Sequence, residues 1–453
     1  MQNTRERTEQ LASMLVDTRK RTLELVSDLG DEQMMGPQLR IVNPPLWEIG
    51  HLGWFQEYWN LRRPRGTWYE ADGPFGPFGP SILENADALY NSMEVAHDTR
   101  WDLPLLSRED TLAYMQRVLD DTLHKLNTEG PTEENAYFAR LATFHEDMHG
   151  EAFTYTRHTH ALPAPPISDY DPSLLDGQPT GPHEGDAEIP GGEFMLGATA
   201  DLPFVFDNEK WAHPVEIAPF AMARAPVTNA EFARFVDDGG YERRDLWSEE
   251  GWMWRESVGA EHPVYWFRGN DGWNHRRFDH VESLPPHQPI IHVNWHEANA
   301  YCRWAGRRLP TEAEWEFAAS AYASPDGSTI TSRKRLYPWG DEPTTPRYVN
   351  LDGRLLGPVD VAAFPEGDSA FGLRQMIGNT WEWCSDTFGP YPGFVRDPYK
   401  DYSEPWFGDH KVMRGGCWAT RGRMLRNTWR NFATPDRRDI FAGFRTCALA
   451  DHV

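Results

Sequence analysis

The strongest chemical signal in the sequence is a pair of histidines four positions apart, His145 and His149. At ~100° per residue, such a pair lies on one face of an α-helix, and both imidazoles can reach one metal ion. Glu151, six positions after His145, points to another side of the helix. A third ligand must therefore come from another helix, and His51, within an aromatic-rich helical stretch, is the best candidate. Together, these histidines predict a metal site.

The residues alone leave two questions about this site open. A helical pair of histidines is also common as an ordinary surface or capped pair, and a histidine in an apolar helix is often a structural one. Three neutral imidazoles that leave coordination positions free suit zinc as well as ferrous iron. Zinc would favour hydrolysis, whereas iron would favour chemistry with oxygen.

The first 160 residues are predicted to form a helical bundle that positions these histidines. Apolar residues recur at helical spacing over 11–26, and further helices are predicted over about 46–59, 107–126 and 131–158. Four helices of this size favour an up-and-down bundle over residues 1–160. Residues 161–185 are rich in Pro, Gly and Asp, which is typical of a linker.

After residue 185 the sequence has a different character. Short apolar segments alternate with Gly, Pro, Asn and Asp turns, and helices are predicted near 228–237, 296–305 and 311–319. This pattern predicts a mixed α+β domain over 186–453.

Composition restricts the partners and the compartment. The 453 residues include 44 Lys and Arg against 69 Asp and Glu, a net charge of −25. Such acidity disfavours general binding to nucleic acid or to an anionic membrane. The four cysteines are far apart in sequence and the N-terminus has no secretory signal pattern, which favours a cytoplasmic protein. The oligomeric state is not indicated.

Motifs in both halves carry a resemblance to a known family. GHLGWFQEYW at 50–59, with His51, and the later H-x-x-x-H-x-E motif resemble the DinB-like bundle of the non-haem iron sulfoxide synthases of ergothioneine biosynthesis. The second domain resembles the formylglycine-generating-enzyme (sulfatase-modifying factor) fold, a C-type-lectin-like domain. Its matching motifs are PGGEFMLG at 190–197, NWHEA at 294–298, RLPTEAEWE at 308–316, GNTWEW at 378–383, RGG at 414–416 and AGFR at 442–445.

The resemblance implies an activity and a cofactor. Members of this family join C2 of the imidazole of hercynine, the trimethylated betaine of histidine, to a chalcogen donor, using iron(II) and O2. Iron(II) would then be held by the three histidines. Formylglycine generation is not expected, because those enzymes use a cysteine pair after the RGG motif. Here Cys417 follows that motif directly, and 419–429 contains no cysteine.

The resemblance also assigns a hercynine site near the C-terminus. Asn431 would contact the carboxylate of hercynine, and Phe432 would face the trimethylammonium group, where many members have Trp. Simple core packing of Phe432 is an open alternative.

Three residues bear on the donor. Ala433 stands where members that use γ-glutamylcysteine have an Asp. Those members bind the donor with two arginines; Arg100 matches one of them, and His97 stands in place of the other. Losing an Asp and an Arg favours a less charged donor such as a selenosugar, and thus the selenoneine synthase branch. An ergothioneine-type sulfoxide synthase that uses γ-glutamylcysteine or cysteine is the alternative. Aromatic faces for a sugar are offered by Trp247, Trp252, Trp254 and Trp266.

Other roles stay open. Phe388 stands where the family has a proton-donating tyrosine, and Tyr391 and Tyr90 are the candidate replacements. Asn379 is either a turn residue or near a structural calcium. A DinB-type zinc enzyme and a binding module with a metal-free bundle are the competing classes of function.

Overall fold

The computed structural model describes residues 2–64, 66, 78–323 and 330–449. Two compact units emerge from it. One comprises the chain up to Ser168 together with Asp397–Asp401, and the other comprises Asp169–Arg396 and the chain from Tyr402 onward. Within 161–185 the described secondary structure is a short 3-10 helix, Pro172–Leu175. The domain limits predicted from the sequence stay a prediction.

The first unit is a helical bundle. Its helices are α1 (Gln2–Val26), α2 (Asp31–Met35), α3 (Pro45–Glu57), α4 (Ala86–Tyr90), α5 (Arg108–Glu129) and α6 (Glu133–Thr159). The helix α3 continues into a π-helical turn, Tyr58–Arg62. The helix α1 packs on α6, and α3 packs on α5 and α6. The predicted helical N-terminal region is confirmed, with α1, α3, α5 and α6 as its long helices.

The helix α3 lies in the interior of the bundle, with every residue except Leu46 buried. Close packing on one side depends on Gly50, where an added Cβ would lie 2.2 Å from Cε1 of Tyr90. Proline at the first helical position fits the start of α3. The helices α5 and α6 begin with side-chain caps, from Ser107 and Thr132.

One buried arginine, Arg19, joins the four long helices described in the bundle through an ion pair and further hydrogen bonds. Nε of Arg19 on α1 donates to Glu146 on α6 over 2.8 Å. The same guanidinium donates to the carbonyl of Met115 on α5 over 2.6 Å and to Gln56 on α3 over 2.7 Å. Each charged group in this network is paired and hydrogen-bonded, so the network holds α6 in one rotation relative to α3. That rotation decides whether the histidines on the two helices face each other.

The described part of the second unit is a mixed α+β structure. Its helices are α7 (Asn229–Asp237), α8 (Glu249–Val258), α9 (Trp295–Trp304) and α10 (Glu312–Ser320). Its strands are β1 (Asp186–Ile189), β2 (Gly192–Leu196), β3 (His213–Ile217), β4 (Phe220–Ala223), β5 (Trp266–Gly269), β6 (Gly272–Arg277), β7 (His280–Ser283), β8 (Arg307–Arg308), β9 (Ala321–Ala323), β10 (Ile330–Lys334), β11 (Trp381–Thr387), β12 (Lys411–Arg414), β13 (Arg430–Ala433), β14 (Ala442–Gly443) and β15 (Cys447–Ala448).

The strands form several small sheets. Two four-stranded sheets have the orders β1-β4-β15-β8 and β13-β12-β11-β14. A three-stranded sheet has the order β5-β6-β7. The strands β11 and β14 pair in parallel, whereas the remaining ladders are antiparallel. The strand β13 lies at the edge of its sheet. The predicted α+β fold class is confirmed.

Three of the four α-helices described in this unit start with the same capping arrangement. At α7, α9 and α10 the cap residue and a glutamate three positions later bond reciprocally to the backbone. The cap residues are Thr228, Asn294 and Thr311. This spacing is visible in the sequence, and the three helices predicted near 228–237, 296–305 and 311–319 are confirmed. The helix α8 was not predicted.

Buried charges fill part of the core of the second unit. Glu312 on α10 accepts from Arg414 over 2.8 Å and from Arg430 over 2.7 and 2.9 Å. Arg414 also donates to Glu316 over 2.6 Å. All four side chains are buried, so each charge depends on its partners.

The amide of Asn379 is fully used by a turn. Its oxygen accepts from Asn350 and from the N–H of Val359, and its nitrogen donates to the carbonyl of Val359 and to Gln375. Its φ is +64°, which asparagine tolerates better than most residues. Of the two roles considered for Asn379, this geometry favours the turn.

The four cysteines are free and buried. Among the described residues no helix is long and apolar enough to cross a membrane.

A buried histidine makes the fold sensitive to acid. Burial, reinforced by His275 and Arg276, lowers the pKa of His292 to about 3. Above pH ~6.5 the side chain is neutral in both states. Below that pH His292 is protonated in the unfolded chain but not in the folded chain. The free energy of unfolding therefore falls by about 1.4 kcal/mol per pH unit until the pKa of the folded state is reached.

His292→Asn is therefore expected to flatten the acid dependence of stability. Asparagine suits the φ of +62° at this position. Urea unfolding at pH 7 and pH 5 measures the effect. The wild type should lose about 2 kcal/mol more than the variant over this interval. Equal losses would show that His292 does not titrate on unfolding.

Candidate metal centre

The three predicted histidines come together inside the bundle. His51 lies on α3, and His145 and His149 lie one turn apart on α6. One ring nitrogen from each lies within 4.8 Å of the others. Nε2 of His51 and Nε2 of His145 are 3.3 Å apart. Two imidazole nitrogens that face each other this closely are well placed to share an ion.

Hydrogen bonds at the far side of two rings set the tautomers. Nδ1 of His51 donates to the carbonyl of Tyr90 over 2.8 Å, because a carbonyl oxygen can only accept. Nδ1 of His149 donates in the same way to Oε1 of Glu48 over 2.5 Å. In the neutral form of either ring this hydrogen bond places the lone pair on Nε2, which is the arrangement that metal-binding histidines use.

The electrostatics favour neutral imidazoles. Burial, and secondly the neighbouring His149, lowers the pKa of both His51 and His145 well below the usual value. Neutral rings can bind a metal ion at neutral pH without first losing a proton. The donor set, with its converging nitrogens, fits a divalent first-row metal ion such as iron(II) or zinc.

Aromatic rings surround the histidines. The ring of His51 lies between Trp47 and Trp54, with centroid distances of 5.0 and 5.7 Å. The ring of His145 stacks on Phe55 at 3.5 Å. Tyr399, from the segment that joins this unit late in the chain, contacts the edges of both rings, 5.9 Å from His145 and 4.9 Å from Phe55. These rings lower the local dielectric and hold the imidazoles in place.

Glu48, Phe55 and Tyr399 were missed by the sequence analysis. Signals existed for two of them. Glu48 is a charged residue in a mostly apolar stretch three positions before His51, and Phe55 is four positions after His51 and shares its face. Tyr399 is far from the histidines in sequence, and no local pattern connects them.

The predicted donor residues of the bundle are anchored by hydrogen bonds. Arg100 is buried and donates to Oδ1 of Asn43 over 2.7 Å, and its guanidinium lies 3.9 Å from the Trp47 ring centroid. Burial lowers the pKa of Arg100 to about 10, against the attraction of Glu48. Nε2 of His97 lies 2.8 Å from the carbonyl of Val42. Their role in donor binding stays a prediction.

The two candidate proton donors lie in different units. The buried ring of Tyr90 packs against α3 beside Gly50, and burial raises its pKa. Tyr391 belongs to the second unit, where its buried ring lies 4.1 Å from the guanidinium of Arg430, and burial raises its pKa well above the usual value. Neither assignment is tested by this geometry.

The predicted hercynine residues lie on β13, in the second unit. Phe432 stacks on Phe388 at 4.2 Å, and Oδ1 of Asn431 accepts from the N–H of Phe432 over 2.8 Å. Strand alternation places Asn431 and Ala433 on one face and Phe432 on the other. Further rings near Phe432 belong to Tyr402, Trp406 and His410.

The tryptophans proposed for a sugar divide into two groups. Trp247 and Trp266 are buried in the core. Trp252 and Trp254 are half-buried, and each lies against arginine side chains.

Known proteins match both units. The sulfatase-modifying factor enzyme 1-like domain matches residues 172–450, and the DinB superfamily matches residues 14–154. The hercynine oxygenase of Mycolicibacterium thermoresistibile is 38% identical, over 96% of this chain and 94% of the relative. The hercynine oxygenase of Mycobacterium tuberculosis is 39% identical, over 96% of this chain and 98% of the relative. The formylglycine-generating enzyme of Streptomyces coelicolor is 32% identical, over 59% of this chain and 90% of the relative.

Identity to the hercynine oxygenases extends over the helical bundle and the α+β unit alike, whereas the formylglycine-generating enzyme matches only part of the chain. The resemblance inferred from the motifs is confirmed. The chain belongs to the hercynine oxygenase family of oxidising enzymes, with a DinB-like bundle followed by a sulfatase-modifying-factor domain.

Proposed function

We propose that this protein is an iron(II)- and O2-dependent enzyme that joins C2 of the imidazole of hercynine to a selenosugar. The observation that carries the proposal is the convergence of three histidine nitrogens within 4.8 Å in a member of this family. The selenium donor rests on Ala433 and His97, where the charged partners expected for γ-glutamylcysteine are missing.

The metal would be held by His51, His145 and His149. Iron(II) bound there would supply activation of O2 and open positions for the substrates. The overall reaction balances without another reductant. The C2–H and Se–H bonds break, a C2–Se bond forms, and one oxygen atom enters the selenoxide while the other leaves as water.

Other residues of the chain would bind hercynine and orient it. Buried imidazoles and aromatic rings lower the local dielectric around the three histidines, which strengthens electrostatic interactions there. The trimethylammonium of hercynine needs aromatic faces, and Phe432 with Phe388 offers a stacked pair. The carboxylate needs a donor, which the amide of Asn431 can supply.

A sulfur donor is the second candidate. It is favoured by the 38% and 39% identity to mycobacterial relatives named hercynine oxygenase. In this alternative the chain joins hercynine to γ-glutamylcysteine or cysteine and forms a sulfoxide.

A competition experiment decides between the donors. The protein is loaded anaerobically with iron(II), and hercynine and O2 are added with a selenosugar, γ-glutamylcysteine and cysteine in one vessel. Mass spectrometry should find the hercynine–selenium adduct as the dominant product. A dominant sulfoxide would assign the sulfur alternative, and no adduct from the iron-loaded protein would reject both. Metal analysis of the purified protein tests a zinc enzyme independently.

Ala433→Asp should shift donor choice towards γ-glutamylcysteine. The new carboxylate can pair with the amine of that donor, and one charge-assisted hydrogen bond is worth about tenfold in kcat/KM. The matched control is Ala433→Asn, which has nearly the same shape without the charge. Measured kcat/KM ratios for the two donors should change in the Asp variant only. Equal ratios in both variants would remove position 433 from the donor site.

A further inference from the structure

We propose that Glu48 is a positioning residue of the metal centre, which holds His149 in the orientation and tautomer that bind the ion. The inference rests on the proposed function in one respect, that His149 is a metal ligand. It adds a residue that the sequence motifs did not single out.

Glu48 links the two helices that carry the ligands. It lies in the first turn of α3, three positions before His51, and its side chain is 1% exposed. Its Oε1 is 2.5 Å from Nδ1 of His149 on α6, whose side chain is 19% exposed. Of the three imidazoles, the most exposed is therefore the one restrained by a carboxylate from the opposite helix.

A buried carboxylate is costly unless it is paired. Glu48 has a hydrogen-bond donor in His149 and an electrostatic partner in Arg100, whose guanidinium lies on Trp47 behind His51. The position of this buried carboxylate beside the imidazole is explained by its effect on the orientation and tautomer of the His149 ring.

The structure contains an internal comparison. His51 donates to a neutral carbonyl, that of Tyr90, whereas His149 donates to a carboxylate. A carboxylate is the stronger acceptor, so it fixes the Nδ1–H tautomer more firmly and makes Nε2 a better donor to a metal. Without Glu48 the ring of His149 can rotate or place its proton on Nε2, and either change removes a ligand.

The test is metal affinity, measured with cobalt(II) as the spectroscopic probe on the full-length protein. Glu48→Ala should weaken binding by about 10–100-fold, the usual cost of losing such a partner. Glu48→Gln keeps an acceptor oxygen but loses the charge, so its affinity should lie between those of the wild type and Glu48→Ala. The matched control is Glu57→Gln, since Glu57 is buried on the same helix but bonds to Ser81, Ile82 and Tyr114. Its cobalt affinity should equal that of the wild type.

A second readout needs no metal. In the metal-free protein, nitrogen NMR of labelled histidine should show His149 as a single Nδ1–H tautomer in the wild type and as a mixture in Glu48→Ala. If Glu48→Ala does not fold, the same two measurements on Glu48→Gln decide. Wild-type affinity and a single tautomer in the Glu48 variants would overturn the inference. A wild type that binds no cobalt would instead overturn the proposed function.

Discussion

Replacing His145 with alanine is expected to abolish metal binding and to lower hercynine-dependent O2 consumption by at least about 1,000-fold, a loss of about 4 kcal/mol of transition-state stabilisation. Nε2 of His145 is 3.3 Å from that of His51, so the variant loses one of the converging nitrogens. It also loses the ring that stacks on Phe55 at 3.5 Å. Two imidazoles without a third hold the ion too weakly for it to stay bound during purification.

Metal content and O2 uptake on the same preparation measure this effect. The matched control is His124→Ala, an exposed histidine on α5 in the same bundle, which should behave as the wild type. An alanine variant at 145 that keeps its metal and its activity would show that the cluster is structural. Loss of activity with the metal retained would place the role of His145 elsewhere in the reaction.

Glu312→Gln is expected to destabilise the second unit by about 3–5 kcal/mol, the usual cost of removing one partner from a buried ion pair. Burial alone would raise the pKa of Glu312, but the attraction of Arg430 and Arg414 is stronger and holds it below the usual value. The carboxylate is therefore charged, and its loss leaves two buried guanidinium groups without their shared anion.

Urea unfolding at neutral pH measures the loss. Glu249→Gln is the control, because its ion pair with Arg244 is exposed and should contribute less than about 1 kcal/mol. A change below 1 kcal/mol in Glu312→Gln as well would mean that water or a rearranged side chain replaces the carboxylate.

Much of the helical architecture could be predicted, because its causes are local. Helix caps such as Ser107 and Thr132 depend only on residues next to them in the sequence, and so does the apolar period along α1. The pairing of His145 with His149 follows from the same helical period. His51 needed one more assumption, that its helix belongs to the same bundle.

The partners of these histidines could not be predicted in the same way. Whether Glu48 faces His149 depends on how α3 is rotated against α6, and that rotation is set by contacts such as Arg19 with Gln56. Periodicity identifies a face of a helix but not what lies opposite it. The assignments on β13 rest on family resemblance, and their test is biochemical.

The segment Asp397–Asp401 belongs to the bundle although it is synthesised long after α6. Tyr137 donates to Asp397 over 3.0 Å, and Tyr399 lies beside His145. A ribosome therefore releases all three histidines well before the ring that covers one of them. A chain that ended after α6 would contain all three histidines without Tyr399, so this side of the candidate metal site is complete only once residues 397–401 have been synthesised.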